Sequence, residues 1–150
     1  MRLRTVLASS LTVVVAAGAL APAVAAPPKP KPIKQSYEAT APTPDPTPFT
    51  GATGGNCSPT LDTAKHETPF TMPWAGTLKV DLHSFQGDWA LAILDAKGNK
   101  LADHDNDVSE PIDTPSTITL KLKKKTDLVI RACNFAGGPT GTVDLVATAK

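Results

Sequence analysis

Three stretches of the chain alternate apolar and polar residues with a period of two. In GTLKVDLHSF, residues 76–85, Leu78, Val80 and Leu82 are interleaved with Thr77, Lys79, Asp81 and His83. STITLKLK repeats the device, with Ile118, Leu120 and Leu122 against Thr117, Thr119, Lys121 and Lys123, and GTVDLVATA does so with Val143, Leu145 and Ala147. A strand points successive side chains to opposite faces, so each stretch reads as a strand with one face buried. Two further runs, WALAIL at 89–94 and DLVIRAC at 127–133, are apolar on both faces over part of their length, as central strands are. Turn signals (GD, AKGN, KKKT, FAGGPTG) separate the runs, and no stretch after residue 50 sustains a 3.6-residue period. The pattern predicts an all-β domain over residues 51–150, an antiparallel β-sandwich or jelly roll.

The first fifty residues follow other rules. Arg2 and Arg4 precede VLASSLTVVVAAGALA, an Ala-rich apolar run too short for a comfortable membrane span. It ends in APAVAA, where Ala23 and Ala25 offer the small residues of a cleavage site, so residues 1–25 read as a signal peptide. A cut after Ala26 would leave Pro27 next in line and is the second choice. No Cys follows the run to take a lipid, so the expectation is a secreted, extracellular protein with no transmembrane anchor after cleavage. Residues 26–50 form a Pro/Thr-rich linker, with prolines at 27, 28, 30, 32, 42, 44, 46 and 48. Proline fixes φ and lacks an N–H donor, which predicts a disordered, extended arm that joins neither sheet nor helix. Its threonines suit either a glycosylated stalk or a plain spacer, and Lys29, Lys31 and Lys34 either touch an acidic surface or are simply solvated.

Export changes how the cysteines read. Cys57 and Cys133 are the only two, an even count in a chain bound for an oxidising compartment, and a single disulfide is expected. Zinc or thiol chemistry needs a second ligand at short spacing, whereas His66, His83 and His104 are scattered singly. Residues 51–150 hold ten Lys and Arg against twelve Asp and Glu, a net charge of −2, with no basic stripe in the sequence. Nucleic acid is therefore not an expected partner.

HSFQGDWALAILDAKGNKLADHDN followed by PSTITLKLKKKTDLVIRACNFAGGPTGTVDLVATA resembles the bacterial pre-peptidase C-terminal domain over about residues 68–149. The features that carry the resemblance are the Gly87-Asp88-Trp89 strand entry, the hairpin through Asp95 to Leu101, and the late strand pair ending in Val143 to Ala147. The resemblance implies a secreted β-sandwich module, of a kind usually attached to extracellular proteases and other hydrolases.

Candidate chemistry is sparse. Asp103, Asp105, Asp107 and Glu110 place four carboxylates within eight residues, and oxygen donors in a loop are what calcium takes; the alternative is a solvated loop. The EF-hand template does not fit, because Val108 stands where Gly is needed and Thr114 where the bidentate Glu should be. Asp95 and Gly98 suit a hairpin turn. Trp89 lies in an apolar run and reads as core, while Trp74, between Pro73 and Gly76, is the candidate surface aromatic for a ligand such as a sugar. Arg131, inside an apolar strand, is expected to pair with a carboxylate. There is no Gly-x-Ser-x-Gly, His-Glu-x-x-His or phosphate loop, and His83 and Ser84, as neighbours on a strand, are expected to point apart. The functional expectation is a non-catalytic binding module for a surface polymer, glycan or protein that requires no cofactor. The alternatives are a small secreted hydrolase and an envelope protein with no discrete ligand.

Overall fold

The computed structural model describes residues 27–42, 57, 64–104, 111 and 114–150. They form eight strands: β1 (Ile33–Thr40), β2 (Lys65–Met72), β3 (Gly76–His83), β4 (Gly87–Asp95), β5 (Lys100–His104), β6 (Ser116–Leu122), β7 (Thr126–Gly137) and β8 (Thr140–Ala149). The strands alternate between two four-stranded sheets, β1-β8-β3-β6 and β2-β7-β4-β5, except that β4 and β5 form a hairpin within the second, and every pair is antiparallel. Eight strands in this order make a jelly roll, which places the fold within the class expected from the alternation.

The inner faces hold the main core. Leu78, Val80, Leu82, Val143, Leu145 and Ala147 from the first sheet meet Trp89, Leu91, Ile93, Leu128 and Ile130 from the second. Trp89 is fully buried, as expected, and its indole N–H donates to the Gly138 carbonyl at 3.2 Å. The run on β4 that is apolar on both faces has a second partner. Ala90, Ala92 and Leu94 on its outer side pack with Cys57 and Cys133, which form the expected disulfide with Cα atoms 5.6 Å apart. The crosslink thereby fixes a distant part of the chain on the outside of the second sheet, and β4 is buried on both sides.

The linker expected over residues 26–50 does not hold across its whole length. Residues 33–40 form β1, which pairs with β8 from Ile33↔Ala147 to Thr40↔Thr140. The prolines explain where it starts and stops: they occupy 27, 28, 30 and 32, then resume at 42, leaving a proline-free window. Within that window Ile33, Tyr37 and Ala39 fall on one face at even spacing and turn inward. The folded body therefore takes in residues before 51, and Ala41 is fully buried just beyond the strand. The expected signal peptide, residues 1–25, lies outside the described residues.

β2 also escaped the pattern, because Pro69 interrupts it. It survives as a strand because it is at an edge of its sheet, where a residue without an N–H leaves no inner ladder broken. Arg131 pairs with a carboxylate as expected. It is buried on β7, donates from Nε to Glu67 Oε1 of β2 at 2.6 Å, and a second guanidinium nitrogen contacts the same oxygen.

Gly87 and Gly137 face each other where β4 and β7 begin and end their ladder, both at positive φ (91° and 107°). A Cβ on Gly87 would run into the Ala136 carbonyl, and one on Gly137 into the Gln86 carbonyl. Glycine is required here by both conformation and space.

Candidate functional site

The outer face of the sheet β1-β8-β3-β6 is polar on all four strands apart from Val146 of β8. Cross-strand registers align Ser36, Asp144, Asp81 and Thr117 in one row, since Ser36 pairs with Asp144, Asp144 with Asp81, and Asp81 with Thr117. Paired residues on neighbouring strands point the same way, so the alternation that buries Val80 and Leu145 also presents this row to solvent.

Hydrogen bonds hold the row in place. Thr117 Oγ1 donates to Asp81 Oδ1 at 2.6 Å, and Lys79 Nζ donates to Asp81 Oδ2 at 2.8 Å. Desolvation acts to raise the Asp81 pKa, but the bonds from Lys79 and Thr117 outweigh it and leave the carboxyl below its ordinary range. Asp144 is also held below the ordinary range, first by the hydrogen bond from Ser36 and then by that from His83. Both carboxylates are thus kept ionised as acceptors.

His83 and Ser84 do not point apart. His83 Nδ1 lies 2.8 Å from Ser84 Oγ, and His83 Nε2 lies 3.0 Å from Asp144 Oδ2. The expected opposition holds only for extended backbone, and Ser84 sits at φ 55°, which ends β3 and swings its side chain back to the side of His83. With Nε2–H donating to Asp144, Nδ1 is left to accept from the Ser84 hydroxyl, giving a Ser–His–Asp relay in which each ring nitrogen has a defined task. Ser84 is exposed, and the relay lies open on the sheet rather than in a cleft. The positive φ that assembles it leaves no mark in the sequence, since Ser is not a residue that announces such a conformation.

The other candidates are dispersed. Asp103 is on β5, half-buried, and accepts from Lys100 Nζ at 2.8 Å; Asp105, Asp107 and Glu110 lie outside the described residues. Among the described residues no three His, Cys, Asp or Glu side chains are grouped so as to hold a metal ion. Trp74, expected at the surface, is half-buried in the β2–β3 turn and packs against the core, with its indole nitrogen buried and without a hydrogen-bond partner. Asp95 makes the expected turn, its Oδ1 accepting from the backbone N–H groups of Lys97 at 2.8 Å and Asn99 at 2.9 Å. Asp88, at the entry to β4, is half-buried, and desolvation raises its pKa above the ordinary range. No helix of the described residues is long and apolar enough to cross a membrane.

No family model matches the chain, and no curated protein matches it. Among solved structures the chain is similar to a mitogen derived from Yersinia pseudotuberculosis, at 17% identity and a TM-score of 0.39, covering 81% of this chain and 87% of that one.

Proposed function

We propose that the protein is an exported, non-catalytic binding module that holds an extracellular polymer, glycan or protein partner. The observation that carries this reading is the fixed polar row on the open sheet, Ser36–Asp144–Asp81–Thr117, in which donors and acceptors are positioned before any ligand arrives. Side chains already held in place lose little freedom on binding, and a broad four-stranded face suits an extended partner better than a small molecule. The signal-like N-terminus, the disulfide and the resemblance to pre-peptidase C-terminal modules support the same reading. The test is retention of the purified protein on insoluble polysaccharides and on immobilised secreted proteins, beside a Ser36→Ala/Asp144→Asn variant. Retention that the variant loses supports the reading; a protein retained on nothing sinks it.

A second reading, a small hydrolase, is favoured by the Ser84–His83–Asp144 relay. It ranks lower because Ser84 is exposed, and charge developing in a transition state there would be screened by water. Fluorophosphonate labelling decides it: covalent labelling that disappears in Ser84→Ala would promote the hydrolase, and an unlabelled protein removes it.

A further inference from the structure

The sequence carries a formal net charge of only +1, yet the fold sorts its charges by pole. Gly76 pairs with Leu122 and with Ala149, Met72 with Thr126, Asp95 with Leu128, and Ile33 with Ala147. These registers bring the approach to β1, the β2–β3 turn, the β4–β5 turn, the β6–β7 turn and residue 150 to one end of the jelly roll. Lys123, Lys124 and Lys125 make up the β6–β7 turn, Lys121 precedes it, and Lys150 follows β8. All five are exposed, and none is paired with a carboxylate among the described residues. Lys97 adds to them from the β4–β5 turn, and Lys29 and Lys31 from the approach to β1.

The carboxylates at this end are engaged locally, Asp95 by its own turn and Asp127 by the Thr71 hydroxyl at 2.7 Å. Glu38, Glu67, Asp88 and Asp103 all lie toward the opposite ends of their strands, where Lys65 is the one lysine of the described strands. The charges of the described residues therefore form a dipole, which orients the basic pole toward an anionic surface during encounter.

A groove of about 530 Å³ opens at that pole. Ala75, Gly76, Thr77 and Leu122 line it together with Lys121, Lys123 and Lys150. Lysines crowded without counter-charge repel one another, and a polyanion relieves that repulsion while its backbone lies over the apolar floor.

From this arrangement we infer that the basic pole docks a polyanionic cell-surface polymer, a flexible chain bearing repeated phosphate or carboxylate groups, with Lys121, Lys123, Lys124, Lys125 and Lys150 as its contacts. An anionic membrane is disfavoured because Leu101 is the one large exposed apolar side chain among the described residues, too little to insert beside the charges. The inference rests on the reading of the protein as a binding module and assigns it a contact surface apart from the polar row, with its own ligand class.

The test uses the full chain with long-chain polyphosphate, polygalacturonate, a neutral glucan and vesicles containing anionic lipid. The polyanions should retain the protein with strong salt dependence. Five neutralised charges on a flexible chain give a slope of roughly −3.5 in log affinity against log salt, and the variant Lys123→Gln/Lys124→Gln/Lys125→Gln, with two charges left, should fall to roughly −1.4. Circular dichroism establishes that the variant is folded. Retention on the neutral glucan alone, unchanged by the lysine substitutions, overturns the inference and leaves the binding-module reading standing. Tighter capture by the vesicles than by either polymer also overturns it. Retention on none of these materials, nor on immobilised secreted proteins, overturns both.

Discussion

Removing the Cys57–Cys133 crosslink acts on the folded and unfolded states together, and both terms can be worked from the structure. The bridge spans a sequence separation of 76 residues. Closing a loop of that length removes about 15 cal/mol/K from the unfolded chain, or roughly 4.5 kcal/mol at 25 °C. The folded state loses something as well. Cys57 packs against Ala90, Ala92 and Leu94, and losing the contacts of its sulfur uncovers part of that patch, at roughly a further 1 kcal/mol. The sum is comparable to the whole stability of many small domains, about 5–15 kcal/mol. The assay is urea unfolding of the oxidised full chain beside Cys57→Ala/Cys133→Ala, followed by fluorescence, since Trp89 is fully buried and reports the loss of the core. For a urea slope near 1.5 kcal/mol/M the midpoint should drop by about 3.7 M, and the slope should steepen because the uncrosslinked chain unfolds to a more open ensemble. A midpoint change below about 0.7 M, with the slope unaltered, would refute the reasoning.

Four further outcomes are expected. Glu67→Gln strands the buried Arg131 guanidinium and should cost about 2 kcal/mol, less than a fully buried pair because Glu67 itself is partly exposed; Glu67→Gln combined with Arg131→Met should cost less than Glu67→Gln alone, as a double-mutant cycle in urea will read. Asp88 has a folded-state pKa raised by burial, so its ionised form penalises the fold at neutral pH: Asp88→Asn should raise the melting temperature at pH 7, with the gain vanishing as pH falls below the ordinary Asp value of about 3.9. Asp144 has the opposite shift, so Asp144→Asn should lower stability at pH 7 and match the parent only once pH drops through its depressed folded pKa. Gly87→Ala should cost about 3 kcal/mol or more, because it meets the Ala136 carbonyl, whereas Gly98→Ala has the same sign of φ but open space around it and should cost about 1 kcal/mol; paired thermal melts that rank them equally would count against the steric account.

The fold class was legible wherever an apolar face had to be bought with alternation. β3, β6 and β8 each bury one side, and β4 and β7 show the denser runs of strands covered on both. Arg131 and Trp89 were legible for the same reason, as side chains too costly or too large to leave unaccommodated in such runs. β1 and β2 were not, because β1 turns only Ile33, Tyr37 and Ala39 inward within a proline-rich stretch and Pro69 interrupts β2, so their signal is short and broken. Of the site, the acidic stretch Asp103 to Glu110 stood out in the sequence, yet its described member is engaged with Lys100, while the polar row attracted no notice because each member looks like an ordinary solvent-facing strand residue.

What the residues determined by themselves was local: strand periodicity and the two cysteines of the crosslink. Tertiary structure decided everything that depends on register and backbone rotation. A single positive φ at Ser84 joined two side chains that strand geometry separates, and antiparallel pairing gathered lysines from two turns, the approach to β1 and residue 150 onto one pole. The physical reason is that alternation specifies which face a residue occupies, whereas its neighbours on that face come from strands distant in sequence, whose alignment only the packed sheets fix.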